Sequence, residues 1–184
     1  MPKVLQKWGV LGSKVLVFER DLHRGRFRPA PEYPRLALAT VNTHDLPPLV
    51  GWLEQRDIIL RSEVGDLADP AQQRAMRDGR TSDRWALIEM LIEAGLLPDS
   101  ARENVRSEPL ISALHAFLRQ TPSALVGLAL DDLAREAEPV NIPGIWQDKY
   151  PSWSRRMREP LETLLADPAT TRMLGEVASV PSPS

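Results

Sequence analysis

The sequence predicts an α/β fold in which parallel strands alternate with long helical stretches. Three short apolar, β-prone runs (residues 15–18, 36–41 and 123–130) are separated by segments of helical periodicity, the signature of parallel β/α units. The second run ends in a polar cluster, Asn42-Thr43-His44-Asp45, and the third in Asp131-Asp132. Strand ends of that kind are where an α/β barrel places its chemistry. Closing such a barrel takes eight strands and typically about 250 residues. A chain of 184 residues with three strand candidates is therefore either a small open sheet or the C-terminal piece of something larger.

Each element has a local reason. Residues 3–8 look like the last turns of a helix, stopped by Gly9 and Gly12. Residues 15–18 are the first strand. Residues 19–34 are charged and proline-bearing and read as a long loop, a kind that is often functional. After the strand at 36–41 and the pair Pro47-Pro48, a helix-like stretch occupies 49–54. Asp69-Pro70 has the N-cap and N1 pattern of a helix that continues through 71–77. Ser82 reads as the cap of a next helix, with Trp85, Ile88, Leu91 and Ile92 on one stripe and Gly95 and Pro98 ending it. Ser107 or Glu108 opens another, with Leu110, Ile111, Leu114 and Phe117 inward and His115 on the surface. A polar loop at 138–152 leads to a final helical stretch around Leu161, Leu164 and Leu165, and a frayed tail is expected at 179–184.

Composition narrows the function classes. A net charge of -2 argues against a nucleic-acid or anionic-membrane surface. The local clusters Arg20, Arg24, Arg26, Arg28 and Arg155, Arg156, Arg158 read as solvated faces rather than phosphate sites. With no cysteine, disulfides, thiolate metal sites and cysteine nucleophiles are excluded, which fits a reducing compartment. No run approaches the roughly 20 apolar residues of a membrane span. Residues 1–8 lack the apolar core of a secretory signal, so a cytoplasmic setting is expected.

His44 and Asp45 carry the chemistry. As metal ligands they would need partners, and only His23 and His115 remain as imidazoles, so neither metal nor other cofactor is expected. A serine hydrolase needs a Gly-x-Ser-x-Gly elbow after a strand, and none exists. Gly9-Val10-Leu11-Gly12 lacks the lysine and strand-to-helix setting of a phosphate loop. Carbohydrate chemistry fits better. Retaining glycoside transfer uses two carboxylates roughly 5 Å apart, with further groups holding sugar hydroxyls and the oxocarbenium-like transition state. A strand-end carboxylate can accept from adjacent hydroxyls while the imidazole donates one. Trp146, Tyr150 and Trp153 can offer apolar faces to sugar rings.

Three segments then resemble a known family: residues 8–21, Trp-Gly-Val-Leu-Gly-Ser-Lys-Val-Leu-Val-Phe-Glu-Arg-Asp; residues 39–52, from Ala39 through Asn42-Thr43-His44-Asp45 to Trp52; and Glu138-Pro139-Val140-Asn141-Ile142-Pro143-Gly144, continuing through Tyr150-Pro151-Ser152-Trp153 to Leu161-Glu162. In order and spacing the chain resembles the C-terminal part of a 4-alpha-glucanotransferase, the amylomaltase or disproportionating enzyme. The resemblance implies that residues 1–178 are the portion of a catalytic (β/α)8 barrel around its sixth, seventh and eighth strands, with helical insertions. It implies Asp45 as the third catalytic carboxylate, stabilising the transition state. It implies His44 on the same sugar and Glu19 and Asp21 reaching acceptor sugars, and Asn141 and Trp146 in the 138–152 loop are further candidate substrate contacts. The substrates would be α-1,4-glucans such as maltodextrins, maltose and glucose. The nucleophilic Asp and the acid/base Glu, after the family's fourth and fifth strands, would precede Met1. The chain alone is then expected to be inactive and to have the missing N-terminal half as a partner. Where the family often shows Pro-Gly-Thr and Asn-Trp-Arg-Arg, this chain has Pro143-Gly144-Ile145 and Ser152-Trp153-Ser154-Arg155-Arg156.

Two other readings are a noncatalytic module that binds α-glucan or a partner, and a helical domain in which His44 and Asp45 merely cap the helix near Pro47.

Overall fold

The computed structural model describes Val4 and residues 7–179. The helix expected at 3–8 lies largely outside the described residues; Val4 and Lys7 are helical, and the Trp8 amide donates to the Val4 carbonyl at 3.3 Å. The tail from Val180 onward also lies outside them, and Ser179 closes the last helix.

Three parallel strands form the sheet: β1 (Gly12–Val15), β4 (Ala37–Thr40) and β5 (Leu125–Gly127), in the order β1-β4-β5. Val15 is level with Thr40, and Thr40 with Gly127, so the three C-terminal ends lie side by side. The first strand runs earlier than its apolar residues suggest. Leu16, Val17 and Phe18 form a 3-10 turn, because Leu16 and Val17 leave the strand to enter the core. The loop at 19–34 is not structureless: β2 (Arg20–Asp21) and β3 (Arg26–Phe27) pair as a short antiparallel hairpin, followed by a 3-10 turn at Ala30–Glu32.

α-Helices make up much of the rest of the described chain, and the one at Ser107–Arg119 packs against β4. The helices are α1 (Leu49–Leu53), α2 (Arg56–Glu63), α3 (Pro70–Glu93), α4 (Ser107–Arg119), α5 (Leu130–Leu133), α6 (Leu161–Ala166) and α7 (Pro168–Ser179). Asp69 caps α3 as its sequence suggests, accepting from the Ala71 amide at 2.8 Å. The helix does not restart at Ser82. It is continuous through Gly79 to Glu93, and Ser82 accepts instead from Arg20 Nη2 at 2.9 Å, docking the hairpin. Trp85 leaves the expected stripe and is 47% exposed, whereas Leu87, Ile88 and Leu91 are buried. Gly95, at φ +72, ends the turn after α3 in the left-handed conformation that favours glycine.

Leu110, Ile111, Leu114 and Phe117 of α4 all face the core, as predicted. His115 overturns its expected surface position: it is completely buried, with Nε2 3.1 Å from Asp132 Oδ2. The other Asp132 oxygen accepts from the Leu49 amide at 2.6 Å. Pro48 has no N–H, so Leu49 carries the first amide that α1 must satisfy. That work is done by Asp132, and α1 has no side-chain cap of its own. This excludes the reading in which His44 or Asp45 caps the helix.

Two contacts fix α1 further. Gly51 approaches the Ala137 carbonyl so closely that any added Cβ would overlap it. Arg80 of α3 donates to the Trp52 carbonyl at 2.6 Å, pairs with Asp57 at 2.9 Å and lies 4.3 Å above the Trp52 ring. The strand alternation shows how the sheet is used. Ala37 and Ala39 are fully buried toward the helices, while Leu38 and Thr40 on the other face are half-buried and Leu125 is 53% exposed.

Replacing Asp132 by Ala strands two buried polar groups, so the Asp132→Ala chain should lose about 3 kcal/mol in urea unfolding. Asp132→Asn, whose amide oxygen still accepts from Leu49, should lose less. A second expectation concerns acid. The Arg135 guanidinium, 2.6 Å away, holds the Asp167 carboxyl down at about 2. A depressed carboxylate stabilises the fold above its ordinary value of 3.8 and ceases to as pH falls through about 2. Melting curves from pH 5 to pH 2 should therefore converge for the parent chain and Asp167→Asn as pH falls.

Candidate functional site

The exits of β4 and β5 meet at the C-terminal edge of the sheet. After Thr40 the chain runs through Val41 and Asn42, both buried, and turns at His44-Asp45, closed by the Leu46 amide donating to the Thr43 carbonyl at 3.1 Å. Asn42 Nδ2 reaches the Pro47 carbonyl at 3.4 Å and the Thr43 hydroxyl accepts from the Asp45 amide at 3.3 Å. Backbone and short polar side chains thus hold the turn from inside, leaving both candidate side chains more than half exposed, His44 by 61% and Asp45 by 51%.

Asp45 is met from the other strand exit. Asn141 Nδ2 donates to Asp45 Oδ1 at 2.7 Å, across 96 residues of sequence, and His44 Nε2 lies 3.4 Å from the same oxygen. The Trp153 ring centroid is 5.2 Å from that of His44, tilted by 48°. Beside them, Asn42, His44, Pro48, Leu130, Asp131 and Val140 line a depression of about 250 Å³. Asp131 is held in its wall by Arg155 at 2.9 Å.

The loop carrying Asn141 and Trp153 is tied at several points. Glu138 accepts from Arg56 Nε at 2.7 Å, which raises the Arg56 pKa, and Arg61 donates to the Pro143 carbonyl at 3.2 Å. The Trp153 amide closes the loop on the Val140 carbonyl at 2.8 Å. Burial pushes the Tyr150 phenol up, and its hydroxyl donates to the Pro139 carbonyl. Tyr150 therefore serves the loop's own structure.

The other proposed sugar contacts sit elsewhere. Glu19 pairs with Lys14 at 2.9 Å and Arg28 at 2.8 Å. Asp21 accepts from the amides of Arg24 and His23, and the Arg24 amide above all holds its carboxyl below the usual carboxylate range. Both line a separate depression of about 230 Å³ beside the hairpin. Trp146 is 80% exposed in a turn whose carbonyl accepts from Lys149 and Tyr150. The structure thus brings together His44, Asp45, Asn141 and Trp153, and places Glu19, Asp21 and Trp146 outside that cluster. The Asp132–His115 pair beneath it gave one sequence signal, the acidic doublet ending the third strand. The arginine clusters face acids: Arg20 with Asp83, and Arg155 and Arg158 with Glu136.

A carboxylate flanked by an amide and an imidazole can accept from one sugar hydroxyl while its neighbours donate to the next. The chain is similar to several known proteins. The 4-alpha-glucanotransferases of Mycobacterium bovis and Mycobacterium tuberculosis are each 35% identical to this chain over 175 residues, which is 92% of the chain and 24% of theirs. That of Haemophilus influenzae is 28% identical over 169 residues, again covering 24% of its length. Among solved structures, the amylomaltase of Corynebacterium glutamicum matches with a TM-score of 0.86 at 28% identity, over 96% of this chain and 26% of its own. A Streptococcus agalactiae amylomaltase, solved in complex with acarbose, shares the fold with a TM-score of 0.58 at 17% identity over 97% of this chain. The chain spans about a quarter of the length of these relatives. The 4-alpha-glucanotransferase family model matches residues 1–162, and the chain belongs to that family.

Proposed function

We propose that this chain is the part of a 4-alpha-glucanotransferase barrel that holds the donor sugar during transfer of α-1,4-glucan segments. In this reading residues 1–178 contribute the sixth, seventh and eighth strands, which are β1, β4 and β5 here. The observation that carries it is the meeting of Asp45 and Asn141 at 2.7 Å over the joined ends of two parallel strands, with His44 beside them.

Asp45 accepts hydroxyls of the reacting sugar and stabilises the positive charge that grows on it, a carboxylate's natural role at an oxocarbenium-like centre. Asn141 and His44 donate to neighbouring hydroxyls and keep Asp45 aimed. Trp146 offers a sugar-facing ring at the rim, and Glu19 and Asp21 lie where an acceptor would pass. The reaction is a retaining double displacement whose nucleophile and acid/base belong to earlier strands of the family's barrel, so these 184 residues alone supply neither. The uncovered sheet face supports the barrel reading. Parallel sheets are normally covered on both faces, and here the half-buried Leu38 and Thr40 point where a barrel interior would lie. The partner implied is the N-terminal half of the same barrel, and the cysteine-free composition suits a cytoplasmic setting.

Complementation tests this. Supplied in trans with the N-terminal three quarters of a relative, the chain should support disproportionation of maltotriose, and Asp45→Asn should lower the rate by about a thousandfold or more. Transfer by the purified 184-residue chain alone would contradict the assignment of roles. Maltodextrin binding without any complementation would favour a noncatalytic module.

A further inference from the structure

Trp153 stands in a backbone conformation that its side chain does not favour. Its φ is +62, in the left-handed region. Among the described residues two other non-glycine side chains share that region, Gln55 and Arg135, and each follows the end of a helix, α1 and α5 respectively. A left-handed residue there is the ordinary way to finish a helix. Trp153 follows no helix. It is the third residue of the turn Pro151–Ser154, closed by the Ser154 amide donating to the Pro151 carbonyl at 3.3 Å, where a positive φ calls for glycine or asparagine. A bulky side chain at such a φ is strained, and the surrounding structure has to hold it there.

Burial does not offset that strain, because Trp153 is 60% exposed. What the conformation achieves is a direction. With the Trp153 amide fastened to the Val140 carbonyl at 2.8 Å, the left-handed turn throws the indole back over the strand-exit turn, 5.2 Å from the His44 ring. The neighbouring residue of the same loop base, Asn141, bonds Asp45. One loop thus reaches both members of the His-Asp pair, through an amide on the carboxylate and a ring on the imidazole. His44, 61% exposed, has no other ring against it among the described residues.

We propose that Trp153 is a positioning residue: its indole holds the His44 imidazole in the orientation that points Nε2 toward Asp45 and the sugar. The role of the held imidazole rests on the function proposed above, while the holding itself does not. Trp153 acts through His44, and in its left-handed conformation the indole lies on the imidazole.

The test uses the 184-residue chain with its histidines isotopically labelled. Glycine at 153 relieves the left-handed strain and removes the ring, so Trp153→Gly should melt no lower than the parent. Its His44 ring signals should nevertheless move toward free-histidine positions, and the His44 χ1 couplings should average over rotamers, which loss of the indole's ring current alone does not bring about. Trp153→Phe, which keeps a ring, should retain part of the displacement. Unchanged His44 signals in Trp153→Gly would overturn the proposal, and so would a large fall in melting temperature with His44 unmoved, which marks a purely structural tryptophan. For the functional consequence, maltotriose affinity is compared in Trp153→Gly, His44→Ala and the double variant. Each single change should weaken binding about tenfold, the worth of one good hydrogen bond, and the double no further. Losses that multiply in the double variant would make Trp153 an independent sugar platform and overturn the positioning role. A parent chain that binds no maltotriose would count against the proposed function alone, since the ring signals still decide the holding.

Discussion

The side chain of Asp132, fully buried in α5, accepts from the Leu49 amide through one oxygen and meets His115 Nε2 with the other. These two contacts join three elements far apart in sequence: the start of α1, the middle of α4, and the segment that leaves β5. The turn bearing His44 and Asp45 ends at Pro47-Pro48, immediately before Leu49, so its far end is anchored on Asp132. A buried carboxylate with hydrogen-bond partners for both oxygens tolerates little displacement, because either partner left unpaired in the interior is costly. The position of Asp45 relative to the β5 exit is therefore set beneath the surface rather than at it.

The second determinant is the parallel register of the sheet. Because β4 and β5 end level at Thr40 and Gly127, the residues that follow them emerge as neighbours. Small side chains allow this: Ala37 and Ala39 let α4 lie close, and a Cβ on Gly127 would stand 3.0 Å from Thr40 Cγ2. Gly51 does the same for α1, whose backbone touches Ala137 on the way to Asn141. Close backbone packing thus brings residues 96 positions apart within hydrogen-bonding distance at Asp45. The site itself is open and polar, as the proposed exchange of an internal partner for sugar hydroxyls at Asp45 requires.

Much of this was legible in the amino-acid sequence, and the misreadings have physical causes. The alternation of apolar runs with helical periodicity pointed to parallel β/α units, and the inward stripe of α4 followed from its spacing. His115 was misplaced because periodicity reports which face is apolar but not whether a distant carboxylate comes to meet an imidazole there. The expected restart at Ser82 failed because a serine in a helix interior looks the same as a cap, and only its bond to Arg20 shows the difference. The first strand ran early because Leu16 and Val17 are as suited to a buried turn as to a sheet. For the candidate site, the His44-Asp45 dipeptide stood out as a polar pair after a β-prone run. Its partners Asn141 and Trp153 lay in a loop whose path depends on ties such as Glu138 to Arg56, which no local pattern reveals.

The claim at the centre of this account is that Asp45, His44 and Asn141 form one sugar-holding surface. Titrating the isotopically labelled chain with maltotriose and following resolved backbone and side-chain amide signals tests it most directly. The account predicts saturable shifts at His44, at Asp45 and at the Asn141 side-chain amide, all abolished by Asp45→Ala. Shifts confined to the hairpin around Glu19 and Asp21, or surviving unchanged in Asp45→Ala, would contradict it.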